Sequence, residues 1–497
     1  MRSFHVLTYG CQMNLHDTDR MSEVLRAAGH VQAQGVEDAD IIVLNTCSVR
    51  EKAEQKLRSE VGRLAMRKRE RPELVLAVAG CVAQQEGERL LRSMPDVDVI
   101  VGPDNIGELP ELLAGVDAGA PPTVRTVFDL DSPHFLRAEP AFGVTPKSAF
   151  VTIMKGCNER CSFCIVPTTR GPERYRASQE IIQEVARLVE AGAREVTLLG
   201  QTVNSYTDPS RALAAAPLAG TAVRRAGAGL HSSAEDDETE FPALLRAIAR
   251  EVPGLARLRY TSPHPRHLTP ALVQAHADLP VLARHVHMPV QSGSDRVLKR
   301  MIRRYSVAEY VERVGLLRSA VPGMTISTDM IVGFPGETRD DFEATLNLVE
   351  RVGFVQVYAF KYSERPSTPA LKLADDVTEA EKTTRLAELF DVSEALTRTH
   401  LASLVGTTVH VLVDRLARGG GFTGRTERNE IVHLGAAGDP MGDILETRII
   451  RSFKHSLEGE LVDTIRARPR DRALRPRDDT AVVPVRRTLP LLTLPES

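Results

Sequence analysis

The chain has 497 residues, about three domains' worth at 100 to 200 residues each. Lys+Arg at 63 against Asp+Glu at 66 gives a net charge of −3, so the overall balance announces no polyanionic partner. Charged residues at 26% and hydrophobics at 42% make global disorder and fibrous classes poor fits. The six cysteines, at 11, 47, 81, 157, 161 and 164, all fall in the first third. The start Met1-Arg-Ser-Phe-His-Val-Leu turns polar by Thr8, and no apolar run approaches 18 residues. The expectation is a cytoplasmic chain with no membrane partner, whose thiols are metal ligands or catalytic groups and not disulfides.

In chain order, strands are expected at Phe4–Thr8, Ile41–Leu44, Leu74–Ala79 and Val97–Val101, with helical stretches at 19–28 and 49–65. This βαβα pattern predicts an open parallel sheet over 1–117. Each of the first three strands ends at a cysteine: Tyr9-Gly-Cys11, Asn45-Thr-Cys47 and Ala79-Gly-Cys81. Loops at the carboxyl ends of parallel strands share one crevice, so these thiols can converge. Three buried structural cysteines are the alternative, but they leave the matched positions unexplained. Residues 118–147, rich in proline and without periodicity, read as a linker.

From 148 to 376 the alternation resumes. Strands are expected at 150–155, 195–199, 258–261, 284–288, 325–332 and 355–362, and helices at 178–191, 241–251, 270–278, 306–319 and 339–352. Six strands and five helices predict a partial (β/α)6 barrel with its chemistry on the loops after the strands. Residues 207–239 break the pattern, with 8 Ala and 3 Gly between 211 and 230, and read as a flexible insertion. A connecting helix is expected over 377–403. Short strands at 407–413, 422–434, 444–450 and 457–462 predict a small β-barrel over 404–465. The Arg- and Pro-rich 466–497 reads as a disordered tail.

The strongest chemical signal is Cys157-Asn-Glu-Arg-Cys161-Ser-Phe-Cys164. Three thiolates within eight residues can hold a 4Fe–4S cluster and leave one iron open. Structural zinc would want a fourth ligand, and the neighbouring sequence offers none. With Phe163 before its last cysteine, the motif resembles that of radical S-adenosylmethionine enzymes. The resemblance implies that the open iron chelates S-adenosylmethionine, which is cleaved to a 5′-deoxyadenosyl radical. Candidate cofactor contacts are Phe163 and, at the following strand ends, Gly200, Gln201, Asn204, Ser262, Gln291, Ser327 and Asp329.

The likeness extends further. Thr8-Tyr-Gly-Cys-Gln-Met-Asn14, Asn45-Thr-Cys-Ser-Val-Arg-Glu-Lys-Ala53, Thr169-Arg-Gly171, Leu198-Leu-Gly-Gln-Thr-Val-Asn-Ser-Tyr206 and Ile331-Val-Gly-Phe-Pro-Gly-Glu-Thr338 resemble the methylthiotransferases. Gly424-Arg-Thr-Glu-Arg-Asn429 resembles their RNA-binding TRAM module. The resemblance implies that Cys11, Cys47 and Cys81 ligate a second 4Fe–4S cluster. It implies two uses of S-adenosylmethionine, as methyl donor and as radical source. The implied reaction is methylthiolation at C2 of an N6-isopentenyl (dimethylallyl) adenosine immediately 3′ of the tRNA anticodon. Also implied are a tRNA anticodon stem-loop as partner, an electron donor such as flavodoxin or ferredoxin, an iron–sulfur carrier, and a monomeric state. The alternatives are a methylthiotransferase for threonylcarbamoyladenosine and a non-catalytic iron–sulfur RNA-binding protein.

Electrostatics adds less. Residues 405–465 carry six Arg and one Lys against nine acids, so the small barrel is not basic overall. Arg425, Arg428, Arg448 and Arg451 are RNA candidates there. Arg296, Lys299, Arg300, Arg303 and Arg304, at helical spacing, are expected on one helix face beside Gln291, where they could hold phosphates; a merely solvated face is the alternative.

Overall fold

The computed structural model describes residues 1–48, 51–130, 135–138, 146–210, 239–417, 420–435 and 438–466. The tail beyond 466 and 211–238 of the expected insertion lie outside these residues. In the N-terminal region six parallel strands, β1 (Ser3–Tyr9), β2 (Val31–Gln32), β3 (Ile41–Thr46), β4 (Val75–Gly80), β5 (Val99–Val101) and β6 (Thr123–Arg125), lie in the order β2-β1-β3-β4-β5-β6. The three central strands are buried on both faces, which is why they read as unbroken apolar runs. Ile42, Leu44, Leu76 and Val78 pack on Leu57 and Leu64 of the helix Glu51–Glu70. Ile41, Val43, Val75 and Ala77 pack on Met21, Leu25 and Leu109. β2 and β6 were not anticipated. β6 falls in the stretch read as a linker and pairs Val99 with Thr123; a three-residue edge strand is too short to show a period.

The central region holds two three-stranded parallel sheets. One contains β7 (Ser148–Thr152), β10 (Glu195–Leu199) and β11 (Arg257–Tyr260); the other contains β12 (His285–His287), β13 (Thr325–Val332) and β14 (Gln356–Lys361). Leu258 donates its N–H to Val281 O at 2.8 Å and bridges to Leu282, joining the sheets into the open arc expected of a partial barrel. Helices Ser178–Glu190, Phe241–Glu251, Pro270–Asp278, Val307–Ala320 and Arg339–Val352 cover the outside, where Val196, Leu198 and Leu258 join their apolar residues in one core. The alternate residues Glu195, Arg257 and Arg259 therefore face inward. A short ribbon, β8 (Met154–Lys155) with β9 (Arg174–Tyr175), flanks the loop that carries the central cysteines.

The helix Glu379–Ser403, capped by Thr378, leads to a closed barrel of β15 (Thr408–Leu416), β16 (Phe422–Thr426), β17 (Ile431–Leu434), β18 (Ile444–Ser452) and β19 (Leu457–Arg466). The expected single strand 422–434 is a hairpin, turned by Thr426 N–H to Glu430 O and by Asn429 at φ +79°. That turn docks on the inner rim of the central arc. Arg257 donates to Arg425 O at 2.9 Å and Thr426 O at 3.1 Å, Arg259 to Thr426 O at 2.7 Å, and the Thr325 hydroxyl to Arg428 O at 3.2 Å. Glu195 carries both guanidiniums; burial opposes its charge, but Arg259 and Arg257 hold its carboxyl down to about 2. Among the described residues no helix is long and apolar enough to cross a membrane.

Candidate functional site

The first cysteine group forms at the carboxyl edge of three adjacent strands. The register pairs Tyr9 with Thr46 and Thr46 with Gly80, so Cys11, Cys47 and Cys81 leave neighbouring strands at nearly one level. Cys11 caps the helix Gln12–Ala27, Cys47 N–H bonds Tyr9 O at 3.0 Å, and Cys81 opens the helix Cys81–Glu86. Two asparagines lock the loops: Asn14 Nδ2 donates to Asn45 Oδ1 (3.0 Å) and Thr46 O (3.2 Å), and Asn45 Nδ2 donates to Asn14 O (2.7 Å). The crowding explains the Gly-Cys pairs. A Cβ on Gly10 would lie 2.8 Å from Cys47 Cβ; on Gly80, already at φ +93°, it would lie 2.4 Å from Asn45 Oδ1. A hydrogen bond with Cys47 foremost holds the Cys11 thiol down to about 6, whereas burial pushes Cys81 up.

The second group is local. Gly156, at φ +76° and with a Cβ that would sit 2.0 Å from Pro172 O, turns the chain so that Cys157 N–H reaches Gly171 O (3.1 Å). Cys157 Sγ shares a hydrogen bond with Thr202 Oγ1 (2.9 Å), and Cys161 Sγ accepts from Arg303 Nη1 (3.1 Å). Ser162 anchors the loop through its N–H to Met301 O and its hydroxyl to Arg300 O. Burial pushes the Cys157 and Cys164 thiols up to about 12. None of the six cysteines is in a disulfide. Both groups offer sulfur donors with an arginine beside one of them, and where burial raises the thiol, as at Cys81, Cys157 and Cys164, a bound cation would favour the thiolate. That donor chemistry suits an iron–sulfur cluster at each group.

The candidate cofactor contacts divide. Gln201 has both side-chain polar atoms buried without a partner, as a residue awaiting a ligand would. Ser262 (φ +57°) and Gln291 (φ +76°) hold left-handed backbones at strand ends. Phe163 packs with Phe334 and Tyr362. Gly200 is required by Met154 Cγ, 2.6 Å from its would-be Cβ. Asn204 is fully buried, with Oδ1 accepting His264 N–H (2.7 Å) and Nδ2 donating to His264 O (3.0 Å), so it ties two loops. Ser327 bonds His285 and His287, both at 2.9 Å, and Asp329 faces His287 at 3.3 Å; both lie within β13 and not on its loop.

The basic residues do not share one helix face. The helix spans only Asp295–Arg300 and the chain turns at Ile302 (φ +58°), so Arg303 and Arg304 leave the expected face. Arg296 pairs with Asp341, Arg300 donates to Pro335 O, and Arg303 serves Cys161; Lys299 and Arg304 stay exposed. Arg425 is turned onto Asn429 and desolvated, and Arg428 pairs with Glu430 at 3.3 Å, both within the docked turn. Among the residues not singled out is the group Glu159, His264 and His267, whose ligand atoms lie within 4.8 Å of one another. Arg303 and Arg304 bear on Glu159, and Arg303, Arg266 and Arg313 on His264, which disfavours a cation there. Nothing local to Thr202 or Arg170 signals a role, since their contacts to Cys157 and Cys81 reach across 45 and 89 residues.

A partial parallel barrel with three cysteines looped after its first strand is the arrangement of a radical S-adenosylmethionine enzyme, and the Radical SAM superfamily model matches residues 151–349. The enzyme uses an iron–sulfur cluster and S-adenosylmethionine. Residues 3–102 match the uncharacterized protein family UPF0004 and 402–462 the TRAM domain. The chain is 60% identical to the tRNA-2-methylthio-N(6)-dimethylallyladenosine synthase of Sorangium cellulosum, over 99% of both chains. It is 44% identical to that of Acidithiobacillus ferrooxidans, over 92% of this chain and 97% of the relative. The chain belongs to the tRNA-2-methylthio-N(6)-dimethylallyladenosine synthase family. A radical S-adenosylmethionine methyltransferase, TsrM from Kitasatospora setae, aligns with a TM-score of 0.49 at 14% identity, covering 74% of this chain and 77% of that one.

Proposed function

We propose that this protein methylthiolates C2 of N6-dimethylallyladenosine in tRNA, next to the anticodon, with two 4Fe–4S clusters. The observation that carries the reading is the pair of separate cysteine groups, three and three, one at strand ends and one in a loop. Cys157, Cys161 and Cys164 would hold the cluster that, with S-adenosylmethionine bound, supplies radical attack on an unactivated C–H bond. Cys11, Cys47 and Cys81 would hold the auxiliary cluster from which the methylthio group is delivered. Gln201, with its unpartnered amide, and the strained loops at Ser262 and Gln291 are the cofactor contacts the geometry favours. Thr202 and Arg303 orient the thiols of Cys157 and Cys161.

For the RNA, the exposed Arg448 and Arg451, the latter stacked 4.8 Å from the Phe453 ring, offer a cation and an aromatic face on the C-terminal barrel. Lys299 and Arg304 are free to meet phosphates. The reading further assigns the protein to the cytoplasm, as a monomer served by a flavodoxin or ferredoxin and an iron–sulfur carrier. Nucleoside mass spectrometry of tRNA from a strain lacking the gene tests it. The isopentenyl nucleoside should accumulate without its methylthio group. Loss of the methylthio group from threonylcarbamoyladenosine instead would overturn the substrate assignment.

A further inference from the structure

Arg170 lies at the end of the short helix Val166–Arg170, six residues after Cys164, yet its side chain enters the other cysteine group. Its Nε–H donates to Cys81 Sγ at 3.3 Å, and its Nη2 donates to Asp17 Oδ2 at 2.6 Å. Asp17 sits on the helix that Cys11 caps. One guanidinium thus touches the Cys81 segment directly and the Cys11 segment through Asp17. The residue is only 5% exposed, and Arg174 Nη2 fixes its backbone by bonding Arg170 O at 2.7 Å. A planar fork can aim Nε at a sulfur and Nη2 at a carboxylate together; a lysine ammonium cannot hold both directions. The two partners come from different strand-end loops, and the arginine comes from the loop system of the opposite cysteine group.

A bare Arg–Asp pair would only join two regions of the chain, a role already filled by Asp104 with Lys155 and Arg174 and by Glu184 with Arg20. The sulfur contact is additional. Hydrogen bonds to cluster sulfurs and nearby positive charge stabilise the reduced, more negative state of an iron–sulfur centre, and so raise its potential.

We propose that Arg170 is a positioning residue of the auxiliary centre: its Nε–H on Cys81 and its charge raise the potential of a cluster held by Cys11, Cys47 and Cys81, while Asp17 keeps the fork in place. The proposal rests on the two-cluster reading above. The test uses the full-length chain with Cys157, Cys161 and Cys164 replaced by Ala, reconstituted anaerobically with iron and sulfide, so that one cluster is monitored by EPR during reductive titration. Arg170→Lys keeps a charge for Asp17 and loses the Nε donor. The double variant Asp17→Asn/Arg170→Gln removes both charges without stranding either in the interior. Both should load the cluster and titrate at lower potential. The double variant should fall further, by about tenfold in the reduction equilibrium, ~59 mV for one electron. Thermal unfolding of each variant separates a potential change from loss of fold, because a purely structural pair moves the unfolding midpoint and leaves the potential in place. If both loaded variants titrate with their parent, the assignment of Arg170 is overturned. If the parent itself loads no cluster, the two-cluster reading falls and takes this proposal with it.

Discussion

The two cysteine groups solve one coordination problem in opposite ways. The central group is written in eight consecutive residues, and its loop needs Gly156 to turn and Ser162 to anchor it. The N-terminal group is spread over 71 positions, from 11 to 81, and exists only because β1, β3 and β4 are neighbours in register. A local motif makes the donor set a property of the loop. A convergent one makes it a property of the fold, so that packing residues such as Asn14, Asn45 and Gly80 become requirements of the site.

The largest test of this contrast is chemical. Replacing Cys157, Cys161 and Cys164 with Ala should reduce 5′-deoxyadenosine formation to background. Replacing Cys11, Cys47 and Cys81 should leave that cleavage and abolish methylthio product, measured by chromatography and mass spectrometry. Product from the second variant would end the division of labour. Next in size is iron content: about eight irons in the reconstituted chain and about four in each triple variant. A value of four in the unmodified chain would leave one group without a cluster. Gly80→Ala sharpens the contrast without touching a cysteine. It forces a Cβ against Asn45 at a positive φ, which should cost on the order of 1–3 kcal/mol. The expected result is a lower unfolding midpoint and loss of the N-terminal irons, with cleavage of S-adenosylmethionine retained. Asn14→Ala, which strands part of the Asn45 side chain, should cost about 1–3 kcal/mol by denaturant titration. The smallest effect is expected from deleting 212–237. Asp208 N–H is tied to Glu240 Oε2, and 212–237 contains no cysteine, so both iron contents should be unchanged.

What the sequence disclosed follows the same divide. Strand Glu195–Leu199 and helices Phe241–Glu251, Pro270–Asp278 and Arg339–Val352 were legible to the residue, because long amphipathic periods between turn signals leave little choice. The three strand-end cysteines were legible as convergent because parallel strands share a crevice. Contacts between distant elements were not. Asn204 reads as a ligand contact until His264 is found 60 residues away taking both ends of its amide. Arg303 reads as one of five cations on a helix until Ile302 turns the chain and delivers it to Cys161. Arg425 and Arg428 read as RNA contacts because nothing local reveals that their turn is docked. β2 and β6 escaped for a simpler reason: two or three residues carry no period.

The docked turn also bears on how freely the molecule can vary. Arg257, Arg259 and Thr325 hold the C-terminal barrel through the carbonyl oxygens of Arg425, Thr426 and Arg428, and every amino acid has a carbonyl. The joint therefore reads the path of the main chain and is blind to which side chains stand at 425 and 428. Its tolerance is one-sided: substitutions on the barrel's turn leave the grip intact, whereas the donors that do the gripping, and Glu195 that keeps two of them aimed, are the places where a single change would loosen the C-terminal barrel from the central arc.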